Sequence, residues 1–331
     1  MKRIMILFLS FVFIVSSVKV SHAVSETEEK TDYTVEKTVI TNEWDEYKKL
    51  VAKTNKELAE CGYSEKQIAE IRNFDYSDEV RKRAKMDNNT LRRYGYTELE
   101  IIKLRDVAKM DIIPESTLKA ISNSTMTTKL KYRSSGSKLE GTPRKPMYFV
   151  NFRFSWKWNR IPFFTLLDLV AVCYSSKTSD DYSYRIQSGN NVKYTLQSLQ
   201  NSNSNYPVTV SWNYSTTKAN SISARVGLCL KDGNGNLTHF AYSGYGDFQL
   251  INRSNKARLH IDATYGHSTI NITPDYSITT TGIGLGIKFK AGMDEQHCLG
   301  TFYEDFTINR ADIMYGVIYG KNNTGGAPAN S

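Results

Sequence analysis

Five histidines and four cysteines are the side chains through which this chain of 331 residues could most readily bind a metal or activate a nucleophile. His22 lies just after an apolar N-terminal run, in a segment expected to be removed, which leaves His239, His260, His267 and His297. No two have the spacing of a helical zinc site, and neither H-E-x-x-H nor C-x-x-C occurs. His260 and Asp262 share one face of an alternating segment and His267 follows shortly after, so these three are the metal candidates. Asp232, Asn234 and Asn236 imitate the start of a calcium loop. The twelfth position is Ser243, where a bidentate Glu is needed, and the segment reads as a turn.

Nucleophilic chemistry has little support. His297 precedes Cys298, but chain neighbours rarely reach base–thiol geometry. No G-x-S-x-G elbow is present, and Glu140, Glu295 and Glu304 supply no recognisable carboxylate pair for glycoside cleavage. The reading leans away from an enzyme and implies no cofactor. Among Cys61, Cys173, Cys229 and Cys298, a Cys173–Cys229 or Cys229–Cys298 bridge and a buried free Cys173 are all compatible with the spacing, so the disulfide state stays open.

The elements that would position these residues begin with an export signal. Met1-Lys2-Arg3, an apolar run from Ile4 to about Val18 and Ser21-His22-Ala23 form the tripartite pattern of a signal peptide, 1–23, cleaved near Ala23. Secretion is the expected destination. Losing Lys2, Arg3 and Lys19 takes the basic residues from 43 to 40 against 34 acidic ones, a net charge of +6. Such a charge draws a protein weakly toward acidic polymers or lipids. An exported chain with no dense Lys/Arg run is not expected to bind nucleic acid.

Residues 24–41 are polar and acidic and read as a flexible leader. Residues 42–130 follow a helical pattern, 131–146 read as a Ser/Gly/Lys/Pro linker, 147–321 as an all-β domain and 322–331 as a disordered tail. Inside the helical part, Leu58 to Arg72 returns 33 residues later as Leu91 to Arg105, with the shared pattern L-x-x-x-G-Y-[ST]-E-x-x-I-x-x-[IL]-R. Gly62 and Gly95 fit left-handed helix ends. Ser64 and Thr97 fit N-caps, with Gln67 and Glu100 completing capping boxes and Tyr63 and Tyr96 stapling onto Ile68 and Ile101.

From Met147 the period is two. Phe152, Phe154, Trp156 and Trp158 alternate with polar residues, as do Val208 to Tyr214, Leu259 to Tyr265 and Ile283 to Phe289, while Asp168 to Tyr174 is apolar on both faces. The expected fold is α+β in two domains: a small helical repeat domain, then an antiparallel β-sandwich, with a barrel as alternative.

Together, the signal segment, the G-Y-[ST] repeats, F-x-F-x-W-x-W-x-x-x-P-F from Phe152 to Phe163 and D-L-V-A-V from Asp168 to Val172 resemble uncharacterised secreted proteins of Gram-positive bacteria. The resemblance implies no activity and transfers no functional residue.

The functional expectation is a secreted, non-enzymatic binding or adhesion protein whose β-domain contacts a glycan or cell-envelope polymer. Trp158, Trp212 and Tyr214 are the proposed ligand-facing rings, since such rings stack on sugars while their polar ends stay wet. Two alternatives accompany it. One is a membrane-active protein using the Gly-alternating run Ile283 to Phe289, shorter than the roughly 9–11 residues of a membrane strand; the other is an extracellular hydrolase with a loop-assembled site.

Overall fold

Glycine settles the helical half. Gly62 and Gly95 sit at φ +82° and +92°, the left-handed region that a side chain disfavours. In the computed structural model, each ends a short helix: α2 (Asn55–Glu60) and α5 (Asn88–Arg93). The residues described are 34–318, apart from 141–144, 179–184, 187–189, 201–203, 215–219, 253–255, 269–274, 282–283, 290–292 and 306–316. The expected signal segment and C-terminal tail lie outside them.

Tyr63 N–H donates to Leu58 O and Gly62 N–H to Ala59 O; Tyr96 to Leu91 O and Gly95 to Arg92 O repeat the pair. Both turns are thus Schellman motifs. The following helices, α3 (Glu65–Asn73) and α6 (Glu98–Ala108), carry full capping boxes from Ser64 with Gln67 and Thr97 with Glu100.

The structure enlarges the repeat. Helices α1 (Glu43–Val51) and α4 (Tyr76–Ala84) are also 33 residues apart, so each unit has three helices. The closing Arg of the pattern has a defined task. Arg72 donates to Asn55 Oδ1 at 3.0 Å and to the Val51 and Lys53 carbonyls, and Arg105 repeats this on Asn88 Oδ1 and the Met86 carbonyl. Each arginine ties its third helix to the turn between the first two. Helix α7 (Glu115–Ile121) follows.

Two expected irregular segments are strands. Residues 34–41 of the proposed leader, with Asn42, form β1 (Thr34–Asn42), paired with β2 (Asn123–Glu140) from Thr34↔Lys131 to Asn42↔Asn123. Its β-branched residues suit a sheet in spite of its charge. The proposed linker is not an irregular segment in its described part: Lys131–Glu140 completes β2, and β3 (Lys145–Trp158) pairs with it. Gly136 is there because the Phe149 ring crosses it, 2.8 Å from where a Cβ would lie.

The remaining strands of the larger sheet are β5 (Arg185–Ile186), β6 (Asn191–Ser198), β7 (Tyr206–Ser211), β10 (Cys229–Lys231), β11 (Leu237–Phe240), β12 (Ser243–Asn252) and β17 (Val317–Ile318). Its order is β1-β2-β3-β12-β6-β11-β10, with β17 on β2, β5 on β12 and β7 on β6. A second sheet orders β16 (Met293–Asp305), β13 (Lys256–Ser268), β4 (Leu167–Thr178), β9 (Ser221–Gly227) and β8 (Asn213–Tyr214). A separate hairpin joins β14 (Tyr276–Thr281) to β15 (Gly284–Phe289). Described pairings are antiparallel throughout, which makes the fold α+β.

Trp156 and Trp158 of β3 meet Tyr265 of β13 at ring-centroid distances of 5.3 and 6.0 Å, so the two sheets share an aromatic core. The helices join the same core through the β3–β4 connection. Arg83 donates to the carbonyls of Ile161 and Pro162 at 3.0 and 2.9 Å, and Ile161 N–H donates to Tyr94 O at 2.9 Å.

Candidate functional site: a polar groove on the outer sheet face

Of the metal candidates, His260 and Asp262 project from one face of β13, and His267 from the other. Asp262 faces the β14–β15 hairpin, where it accepts hydrogen bonds from Thr264 Oγ1 and from Ile287 N–H at 2.8 Å. His267 instead faces the helices and is fully buried. The three therefore do not converge, and among the described residues no group of three His, Cys, Asp or Glu side chains could hold a metal ion.

His267 belongs to a different cluster, with two acids that sequence reasoning missed. Its Nδ1 lies 3.0 Å from Asp168 Oδ2 and its Nε2 3.2 Å from Glu43 Oε1, all three side chains being fully buried. Burial alone would push the imidazole pKa down, but Asp168 and Glu43 hold it up at about 10. Both ring nitrogens then donate, and neither has a lone pair for a metal or a substrate proton. The carboxylates are satisfied as well: Tyr265 Oη and Ser268 N–H donate to Asp168 at 2.7 and 3.0 Å, and Phe163 and Phe164 N–H donate to Glu43 at 2.7 Å each. This arrangement fastens α1, the β3–β4 connection and two strands together; it is a structural lock. A buried Asp heading the apolar run D-L-V-A-V was the available signal.

Two of the three proposed ligand-facing rings are core. Trp158 is 1% exposed, with its indole edge against His267 at 5.0 Å. Trp212 is 3% exposed because the chain crosses there from β7 in one sheet to β8 in the other. Its Nε1 donates to Asp247 O, and Gly246 makes room, since a Cβ there would lie 2.3 Å from the Trp212 ring. Alternation read Val208 to Tyr214 as one strand and could not reveal this crossing. Tyr214 is 42% exposed and remains available.

Cys61, Cys173 and Cys229 are unbridged, and burial pushes the Cys173 thiol well up. Asp232 accepts the backbone N–H groups of Asn234 and Asn236, as a turn residue does.

The surface that could take a ligand is the outward face of the larger sheet. Register sets Lys129, Ser155, Tyr245, Lys193 and Thr209 in one row across β2, β3, β12, β6 and β7. A groove of about 640 Å³ runs over this face, lined by Arg153, Ser155, Lys193, Thr195, Thr209 and Tyr245 among others. Arg153 is fixed by two hydrogen bonds to Asp247, at 2.7 and 2.8 Å, and its guanidinium carbon sits 3.9 Å from the Tyr245 ring centroid. The stack holds that ring in a set orientation beside the exposed Lys193 ammonium. Lys157, one pair along on β3, is also exposed. Lys129 is paired with Glu36 at 2.8 Å and Arg153 with Asp247, so the hydroxyls, the oriented ring and the Lys193 and Lys157 ammonium groups are what could hold an anionic or hydroxyl-rich chain. The row supplies neither a nucleophile–base pair nor two acids.

No protein-family model matches the chain, and none of the curated proteins searched matches it. Among solved structures, the Clostridium perfringens delta-toxin is 11% identical and covers 56% of this chain and 86% of its own, with a TM-score of 0.19. AvmM, which catalyzes macrocyclization in alchivemycin A biosynthesis, is 14% identical and covers 49% and 82%, with a TM-score of 0.22. Likeness at that level bears on neither fold nor function.

Proposed function

We propose that the chain is a secreted, non-enzymatic binding protein whose outer sheet face holds an acidic glycan or cell-envelope polymer. The observation that carries the reading is the Lys129–Ser155–Tyr245–Lys193–Thr209 row, with Tyr245 oriented by Arg153. A five-strand row gives an extended chain several contact points, and a flat ring among hydroxyls suits a sugar face. In this reading the two sheets are the layers of a sandwich, the helical units form a second domain, and Tyr214 adds an exposed ring at the margin.

The test is co-sedimentation of the chain from Val24 onward with insoluble cell walls. Retention should fall at least about tenfold in Tyr245→Ala and in Lys193→Glu, each variant keeping its circular dichroism spectrum, since these side chains face outward. Equal retention of both variants and the parent would remove the groove from consideration.

A membrane-active role is the second reading, favoured by the β14–β15 hairpin. Tyr276, Ile278, Leu285, Ile287 and Phe289 share one face, and the exposed Ser277, Thr279 and Lys288 the other. Dye release from liposomes by the same preparation, undisturbed by the groove variants, would put this reading first.

A further inference from the structure

Tyr245 forms one wall of a notch within the outer groove. The outward residues at the start of β12 are Ser243, Tyr245 and Asp247. Arg153 stands directly across from Asp247 on β3 and is bonded to it twice, so its guanidinium covers the Tyr245 ring from the Asp247 side. The opposite ring face turns along the strand toward Ser243, whose short side chain is exposed and lines the groove.

Two cations flank the notch. Lys157 pairs with Ser243 from β3, and Lys193 pairs with Tyr245 from β6. Both are exposed, and no ion pair holds either among the described residues. They stand two strands apart and two residues out of step, which sets their Cα atoms about 12 Å apart on ordinary sheet spacing. On the β6 side, Thr195 adds a hydroxyl to the groove.

This chemistry discriminates among anionic polymers. An acyclic polyol phosphate has no ring face to set on Tyr245. A pyranose has one, and its hydroxyls match Ser243 and Thr195. The guanidinium fork that would suit a phosphate or sulfate group is already bound to Asp247. What is left is a pair of separated point charges, which suits a chain with one carboxylate per sugar or fewer better than a densely sulfated one.

We propose that the Tyr245–Ser243 notch seats one uronic acid unit of an acidic polysaccharide. The sugar ring lies on the open face of Tyr245, its hydroxyls meet Ser243 and Thr195, and Lys157 and Lys193 draw its carboxylate. The proposal rests on the outer-face reading given above and narrows it to a ring-bearing polymer.

Affinity electrophoresis of the chain from Val24 tests it, in gels containing polygalacturonate, its carboxyl-reduced form or poly(glycerol phosphate). Polygalacturonate should retard the parent with an apparent affinity about fivefold or more above that of the other two, as one or two exposed ion pairs allow. Ser243→Tyr fills the notch without changing charge and should weaken that retardation about tenfold, its circular dichroism spectrum unchanged. Tyr245→Phe keeps the ring and should stay within about twofold of the parent. Absence of retardation by polygalacturonate would overturn the proposal, as would equal retardation by poly(glycerol phosphate) or of Ser243→Tyr. In that event, wall retention that is still lost in Tyr245→Ala would leave the outer-face reading standing without its uronate seat, and unchanged retention would remove both.

Discussion

Glu43 and His267, 224 residues apart, are joined at the centre of the protein: Glu43 Oε1 accepts the Nε2 proton at 3.2 Å while the ring's other nitrogen is held by Asp168. One residue opens the first helix, and the other stands near the end of a strand in the second sheet. Between them the Glu43 carboxylate also takes both amides of Phe163 and Phe164, so one side chain closes helix, connection and sheet.

Removing the imidazole leaves two carboxylates buried together. His267→Gln should cost about 3–5 kcal/mol, the range for breaking a buried pair from one side. Urea denaturation at pH 7 reads the loss directly, and a cost below about 1 kcal/mol would mean the lock contributes little.

The same histidine sets a pH dependence. Its folded pKa is raised to about 10 from an ordinary value near 6.5, so the folded state holds a proton that the unfolded state has released. Its contribution is complete below about pH 6.5 and is lost as pH rises to about 10, by about 1.4 kcal/mol per unit within that window. Urea midpoints from pH 6 to 10.5 should fall accordingly. His267→Gln should lack that component of the slope.

The duplicated turns provide an internal control. Gly62 and Gly95 both need positive φ, but a Cβ at Gly95 would also come within 2.7 Å of Asn159 O and Arg160 Cβ. Gly62→Ala should cost about 1–2 kcal/mol from the left-handed conformation alone. Gly95→Ala should cost more, and thermal melting of the two variants side by side decides it.

Tryptophan truncation separates core from surface. Trp158→Ala should destabilise by about 3–5 kcal/mol, as large-to-small changes in cores do, whereas Tyr214→Ala should stay within about 0.5 kcal/mol. A folded, stable Trp158→Ala variant would contradict the packing against His267.

Local chemistry was legible in the sequence. Gly62, Ser64, Gln67 and their partners 33 residues on announce helix ends, because a cap is decided within a few residues. The antiparallel strands announce themselves equally through their period of two. That the first helices, α1 and α4, belong to the repeat was hidden, since the two copies share few residue types. Burial of Trp158 and Trp212 was hidden too: alternation says that residues share a face, and only tertiary packing says whether that face meets water. Neither the Lys129–Tyr245–Lys193 row nor the Glu43–His267–Asp168 lock could be read in advance, because each assembles residues from distant parts of the chain.

The duplicated helices carry a further consequence for how this chain can change length. Arrays of helical units commonly grow or shrink by whole copies, since each unit mainly contacts its neighbours. Here the first copy grips Phe163 and Phe164 through Glu43, and the second grips Ile161 and Pro162 through Arg83. Both copies hold the same four-residue stretch, so its length is matched to a tandem of two. Inserting or deleting a copy between them would strand a buried charge.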